Sequence, residues 1–163
     1  MTNCIELKGL VKQYKTFTLG PVDLKVPGGS IMGLIGENGA GKTTLIKSML
    51  GITRPTAGAV SLLGTAPDRA KADIGIVLDD CFFSEYLRVR DVESVLSRVF
   101  KTWDKGLYRD YLDKFGLAGS KNIRELSRGM RMKLSLAAAL AHRPKLLLLD
   151  EATAGLDPVV RDE

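Results

Sequence analysis

The stretch that decides the fold runs from residue 31 to residue 51 and reads IMGLIGENGAGKTTLIKSMLG. It begins with an apolar run at 31–35, which is typical of a strand buried on both faces. The pattern GxxxxGKT follows, and residues 44–50 then predict a helix that ends at Gly51. A strand, this glycine-rich pattern and a helix, in that order, predict a phosphate-binding loop.

Each part of this loop suits a nucleotide phosphate. The glycines let backbone amides turn toward one point, and the start of the following helix adds the positive end of its dipole. Lys42 supplies a charge for the β- and γ-phosphates, and the Thr43 hydroxyl is placed to bind Mg²⁺. The alternative is a chance glycine-rich turn, which the flanking strand and helix disfavour. The predicted nucleotide-binding residues here are Gly36, Glu37, Asn38, Gly39, Ala40, Gly41, Lys42, Thr43 and Thr44.

Outward from the loop, strands and helices alternate, which predicts an α/β core. Antiparallel strands are expected within 5–26, broken at Gly20-Pro21, and a turn at 27–29. The segment between about 85 and 129 is helical and has the character of an insertion into that core. The other predicted elements are strands at 58–63, 74–78 and 146–149, the last two buried, and helices at 91–100, 107–115, 127–141 and from Pro158.

The composition sets the broad class. The 163 residues, 45% hydrophobic and 26% charged, are typical of one globular domain. No run is long enough to cross a bilayer, and the first residues lack the features of a signal peptide, so a cytoplasmic location is expected. Cys4 and Cys81 are too few for a disulfide framework and belong to no metal-binding cluster. The net charge of +5 is most simply a solvated surface.

An acidic pair follows the run of leucines at 146–149. Asp150 and Glu151 lie at the predicted carboxyl end of a strand, where open α/β sheets place their ligands. There Asp150 is expected to bind Mg²⁺ and Glu151 to act as the general base that polarises a water. An apolar strand that simply runs into solvent is the alternative, but a phosphate-binding loop upstream favours the functional interpretation.

Three further motifs support a family resemblance. Leu-Ser-Arg-Gly-Met at 126–130 resembles the ABC signature motif, usually written LSGGQ, and Ala-Gly-Leu-Asp at 154–157 resembles the D-loop. Tyr14 matches the A-loop aromatic residue that stacks on adenine, although a plain strand aromatic is an alternative. Together with the loop and the acidic pair, these motifs cover nearly the whole chain in the order of an ABC ATPase.

The resemblance implies a P-loop core with an N-terminal antiparallel β-region and an inserted helical lobe. The expected parts are the β-region and core at 1–84, the helical lobe at 85–129, and the signature helix, acidic strand and D-loop at 130–163. Two copies, identical or different, are expected to face each other, with ATP between one P-loop and the other signature. Ser127, Gly129 and Asp157 would then join the ATP site. Ser127 could instead be only a helix N-cap.

This chain departs from the family pattern at two of its motifs. Arg128 and Met130 replace a glycine and a glutamine of the signature, while Ser127 and Gly129 are kept. We expect Ser127 and Gly129 to keep their contact with phosphate. Arg128 could alternatively just add a surface charge. The position of the Q-loop glutamine is best matched by Asp79, whose carboxylate can approach Mg²⁺.

The family's switch histidine is not in this sequence. That histidine follows the D-loop by some thirty residues, whereas His142, the single histidine, precedes the acidic strand and is expected at a helix C-terminus. We therefore expect a truncated domain that lacks its C-terminal strands, including one between the strand at 31–35 and the acidic strand. Slow ATP turnover is expected of it.

Two functional hypotheses remain open at this stage. The first is the ATPase subunit of a membrane transporter, similar to bacterial exporters, at the inner face of the cell membrane. Separate transmembrane subunits would dock near residues 82–90, and no direct nucleic-acid contact is expected. The alternative is a soluble ABC ATPase acting on ribosomes or nucleic acid. A P-loop kinase or GTPase is disfavoured, because no Asn-Lys-x-Asp motif is present.

Overall fold

A computed structural model of the chain describes residues 2–78 and 81–150. The chain folds into two compact units, of which the first covers Met1–Ala72 and the second begins at Asp73. The first unit consists mainly of strands and the second mainly of helices. In neither range does any helix combine the length and apolarity needed to cross a membrane.

The first unit contains a three-stranded antiparallel sheet in the order β2-β1-β3. The central strand buries Ile5 and Leu7, which lie on one face two residues apart, and Leu10, which follows a shift in the pairing register with β2. The predicted antiparallel β-region is therefore confirmed. Its strands are β1 (Asn3–Gln13), β2 (Thr18–Pro27) and β3 (Ala57–Leu62).

The helix after the glycine-rich loop forms as predicted. This helix, α1 (Lys42–Met49), lies against β3 and buries Leu45, Ile46 and Met49. The chain leaves it through Gly51, whose φ of 70° is the left-handed conformation that commonly ends helices. A short helix, α2 (Pro67–Ala70), follows β3.

The strand predicted at residues 31–35 is wrong for this structure. The segment has no strand conformation, and Ile31 and Ile35 are 104% and 96% exposed. A strand is stabilised by hydrogen bonds to a neighbouring strand, and the sheet that contains β1, β2 and β3 pairs none of its edges with this segment. Apolar composition alone therefore does not make it a strand.

The second unit pairs two strands in parallel and covers them with helices. Its elements are β4 (Ile74–Val77), α3 (Asp91–Val99), α4 (Lys105–Lys114), α5 (Arg128–Ala141) and β5 (Leu146–Leu149). The three helices and β4 match their predictions. The prediction of a buried leucine strand is only partly right, because β5 buries Leu148 but leaves Leu149 46% exposed. Its one described partner is β4.

The core of the second unit lies among its helices. Tyr108, Ile123 and Leu134 are completely buried there. Helix α5 packs against α4 and β4 and contributes Ala137, Ala138 and Ala141 to this core, so small side chains allow a close approach. This packing anchors α5, the helix whose first turn carries part of the signature.

Candidate nucleotide-binding site

The glycine-rich loop adopts a conformation that only glycines take easily. Gly39 and Gly41 have φ values of 84° and 97°, in the left-handed region where a Cβ is strained. Gly41 is the N-cap of α1, so the loop turns directly into the helix. The glycines are thus spaced as the sequence suggested, because the backbone of the loop must turn at these positions.

The loop is closed around its lysine. The Lys42 Nζ donates hydrogen bonds to the carbonyl oxygens of Gly36 at 2.7 Å and Glu37 at 2.9 Å. The amide of Ala40 donates to the Glu37 carbonyl at 3.1 Å, which tightens the same turn. The ammonium group is therefore held at the loop, where it adds a full positive charge.

The N-terminus of α1 offers further positive character. The first amides of a helix have no intrahelical partner, and this helix has neither a side-chain cap nor an acidic residue in its first turn. Thr43, in that turn, is exposed, while Thr44 is half-buried. Amides, a lysine and a hydroxyl at one helix start fit the phosphates of a nucleotide.

Two apolar side chains pack directly on the loop, and sequence reasoning missed both. A Cβ built on Gly41 would lie 2.9 Å from Phe17 Cζ and 3.1 Å from Leu19 Cδ1. Glycine is therefore required at position 41 for space as well as for φ. The sequence does not indicate that Phe17 and Leu19 contact Gly41, because this contact joins segments that are far apart in the chain.

Tyr14 lies in the turn that joins β1 to β2. Its amide donates to the Phe17 carbonyl at 2.8 Å, and the residue is 44% exposed. Because Phe17 also touches Gly41, the turn that carries Tyr14 is adjacent to the glycine-rich loop. A partly exposed aromatic ring at this place can stack on a base.

The signature segment forms the start of α5. Ser127 is its N-cap, and the Ser127 Oγ accepts a hydrogen bond from the Met130 amide at 3.2 Å. A hydroxyl that accepts one bond still has its own proton to donate. Ser127 and Arg128 are exposed and Gly129 is half-buried in the first turn. The capping role and a phosphate-binding role are thus compatible.

Arg131 braces this turn, a feature that the sequence did not reveal. Its guanidinium donates to the carbonyl of Leu126 at 3.2 Å and that of Arg124 at 3.3 Å. It also forms an ion pair with Glu85 at 2.8 Å. The residue before Ser127 is therefore tied through Arg131 to the segment that begins the helical part of the chain.

A capping box precedes the signature. The Glu125 carboxylate accepts from the Asn122 amide at 2.6 Å, while the Asn122 side chain accepts from the amide of Glu125. The bond from the Asn122 backbone is the main cause that lowers the pKa of Glu125. The same hydrogen bond holds the turn before the signature.

Asp150 follows β5 and is 4% exposed. Its amide donates to the Val77 carbonyl at 2.8 Å, which extends the pairing of β4 and β5 by one residue. Carboxylate oxygens are suitable Mg²⁺ ligands, so the Asp150 side chain is of a type that fits that ion. No cluster of three or more histidine, cysteine, aspartate or glutamate residues that could hold a metal ion occurs within 2–78 and 81–150. The predicted site residues Asp79, Glu151 and Asp157, and the helix from Pro158, lie outside those residues.

His142 lies at the C-terminus of α5, as the sequence predicted. Its ring stacks on Phe100 with centroids 4.1 Å apart, and its Nε2 is 3.2 Å from the Ile74 carbonyl oxygen. With 3% of its surface exposed, it joins α5 to the start of β4. These contacts give it a packing role.

Comparison with known proteins adds a family to this geometry. A family model described as "ABC transporter" matches residues 19–154. The chain is 36% identical to the bacitracin transport ATP-binding protein BcrA of Enterococcus faecalis, over 98% of this chain and 54% of that protein. It is 34% identical to the daunorubicin/doxorubicin resistance ATP-binding protein DrrA of Streptomyces peucetius, over 99% of this chain and 52% of that protein.

A solved structure gives the same result for the fold. The structure titled "Structure of ATP binding subunit of ABC transporter" superposes with a TM-score of 0.86 at 27% identity, covering 98% of this chain and 70% of that one. The expected fold class is thereby confirmed. The chain spans about half the length of the two curated relatives.

Proposed function

This chain belongs to the ABC transporter family, and we propose that it is the part of an ATP-binding and ATP-hydrolysing subunit that holds the nucleotide. In this proposal, ATP binding closes a dimer of two such subunits, and hydrolysis reopens it to drive separate transmembrane subunits. The observation that carries the proposal is the glycine-rich loop closed on Lys42 at the N-terminus of α1.

Each proposed contact uses a group described above. The loop amides from Gly36 to Thr44 and Lys42 would bind the phosphates, and Tyr14 would stack on adenine. Thr43 and Asp150, with Asp79, would hold Mg²⁺, which supplies charge neutralisation for the phosphates when bound.

The water that attacks ATP needs a base and a fixed direction. We assign Glu151 the role of base, because it follows the buried Asp150. Ser127, Gly129 and Asp157 would contact the ATP held by the partner subunit, with Ser127 donating its remaining proton. The braces from Arg131 and Glu125 fix the turn that carries Ser127.

The transmembrane partners would bind at the segment 82–90. Phe82 and Tyr86 are 75% and 83% exposed there, and large exposed apolar side chains are typical of protein contacts. The same segment pairs with residues before the signature, through the Ile123 amide and the Leu87 carbonyl at 2.9 Å. The protein would accordingly work at the inner face of the cell membrane. Export is the direction we propose, because a relative that is 35% identical to this chain is named as a Nod factor export ATP-binding protein.

Two substitutions in the full-length protein test this function. Lys42→Ala is expected to weaken ATP binding by at least about tenfold, since a charge-assisted bond to phosphate is lost. Lys47→Ala, in the last turn of the same helix, is the matched control and is expected to leave binding unchanged. Equal ATP affinity in both variants would remove the loop from the proposed site.

Glu151→Gln tests the catalytic step separately. A glutamine cannot accept the proton of the attacking water, so phosphate release is expected to stop while ATP stays bound. Light scattering should then detect an ATP-dependent dimer. Hydrolysis at the wild-type rate would exclude Glu151 as the base.

A further inference from the structure

Lys12 contacts the ring of Tyr14 from the strand that leads to it. The Lys12 Nζ lies over that ring, 5.1 Å from its centroid. An ammonium group within about 6 Å of an aromatic centroid is attracted by the negative face of the ring. One face of Tyr14 is thus covered by a cation that belongs to the protein itself.

The ammonium group is fixed in place by a second contact. Its Nζ donates to the Arg54 carbonyl oxygen at 2.9 Å. Arg54 follows Ile52 and Thr53, whose amides both donate to the Lys47 carbonyl at 3.0 Å and 3.1 Å. Lys12 therefore connects the Tyr14 ring to the C-terminal end of α1, the helix that begins at the phosphate-binding loop.

The strand around Lys12 is hydrogen-bonded to Thr56, in the segment that joins α1 to β3. The Gln13 amide donates to the Thr56 Oγ1 at 3.0 Å, and the Thr56 amide donates to the Val11 carbonyl at 2.7 Å. The residues on either side of Lys12 are thereby anchored. The direction from which Lys12 approaches the ring is set by this backbone pairing.

We propose that Lys12 is a positioning residue for adenine. Lys12 covers one face of Tyr14, so that a base stacks on the opposite face, and this inference rests on the proposed ATP-binding function. The ammonium group also attracts the π electrons of the ring toward the face that it covers, which reduces the repulsion between the opposite face and the π electrons of a stacked base. Lys12 contacts the ring and acts on the base through it.

The test compares ATP with inorganic tripolyphosphate, which has the phosphates but no base. In the full-length protein, Lys12→Met keeps the alkyl chain and removes the charge. We expect ATP to bind about 2- to 5-fold more weakly and tripolyphosphate to bind as in the wild type. Lys12→Arg keeps a cation over the ring and should restore ATP affinity. Lys8→Met removes a charge from the same strand, where Lys8 pairs with Glu6, and should change the affinity for neither ligand.

Tyr14→Ala separates this inference from the function on which it rests. Stacking on a base contributes enough that this variant should lose at least about 5-fold in ATP affinity. In its background, Lys12→Met should cause no further loss, because the two residues act as one unit. Thermal unfolding of every variant checks that the fold is intact.

Three results would overturn the proposal. If Tyr14→Ala weakens ATP but Lys12→Met does not, Lys12 has no positioning role. If Lys12→Met weakens the binding of tripolyphosphate as much as the binding of ATP, the charge of Lys12 acts on the phosphates. If neither variant changes ATP affinity, the stacking function of Tyr14 fails and the role of Lys12 fails with it.

Discussion

Residues 31–35, which read IMGLI, and β4 (Ile74–Val77), which reads IGIV, are both short apolar runs with one glycine. In β4, Ile74 is 3% exposed and every residue pairs with β5. In 31–35, Ile31 is 104% exposed and no strand forms. The two segments have nearly the same composition, but they differ in strand pairing and in burial.

The difference has two physical sources. Gly75 of β4 lies so close to α5 that a Cβ would be 2.9 Å from the Ala139 carbonyl oxygen, and the strand has hydrogen-bond partners along its length. A Cβ on Gly33 would meet nothing within 4 Å. A strand therefore forms where a neighbour satisfies its backbone and a helix covers its face.

The largest effect is expected from isoleucine truncation in the two runs. Ile74→Ala should lower the free energy of unfolding of this chain by about 2–5 kcal/mol, because a buried side chain is replaced by a cavity. Ile31→Ala should change it by less than about 0.5 kcal/mol, as at other surface positions. Urea denaturation measures both, and equal losses would mean that Ile31 is buried in solution.

Adding a methyl group to each glycine is expected to give the next largest effect. In Gly75→Ala the new Cβ would press on the Ala139 carbonyl and on Pro144 Cγ, also 2.9 Å away. A loss of about 1–3 kcal/mol is expected from this overpacking. Gly33→Ala has open space and should be nearly neutral. A neutral Gly75→Ala would show that α5 and β4 are less closely packed than described.

A smaller effect is expected from the ion pair beside β4. Lys145 Nζ lies 3.2 Å from Asp73 Oδ1, but 69% of the lysine side chain is exposed. Lys145→Met should cost less than about 1 kcal/mol, and less again at high salt. The Lys145 amide still donates to the Asp73 carbonyl at 2.8 Å, so the β4–β5 register should persist. Loss of hydrogen-exchange protection in β4 would contradict this.

Within the unit that contains β4, acid is expected to have the smallest effect on stability. The Leu107 amide, followed by the Arg143 guanidinium, lowers the pKa of Asp104. A lowered pKa in the folded state stabilises the protein above the ordinary value for aspartate, and that contribution is lost as the pH falls through the lowered pKa. Asp104→Asn should remove this part of the pH dependence of the melting temperature. An unchanged acid profile would assign the loss to other groups.

The sequence alone predicted the features that depend on neighbours in the chain. The glycine pattern indicated the phosphate-binding loop, and apolar periodicity indicated α3 and α4, because left-handed turns and helix faces are local properties. An alanine-rich segment that stops before Pro144 indicated α5. The order of the motifs also predicted the family, which the comparisons confirmed.

Tertiary structure decided what depends on distant segments. The packing of Phe17 on Gly41, the brace from Arg131 to Glu85 and the position of Lys12 over Tyr14 each required the folded chain. It also decided which apolar run became a strand. Strand formation depends on hydrogen bonds to a partner that no local pattern specifies, so residues 31–35 and β4 differ although their sequences are alike.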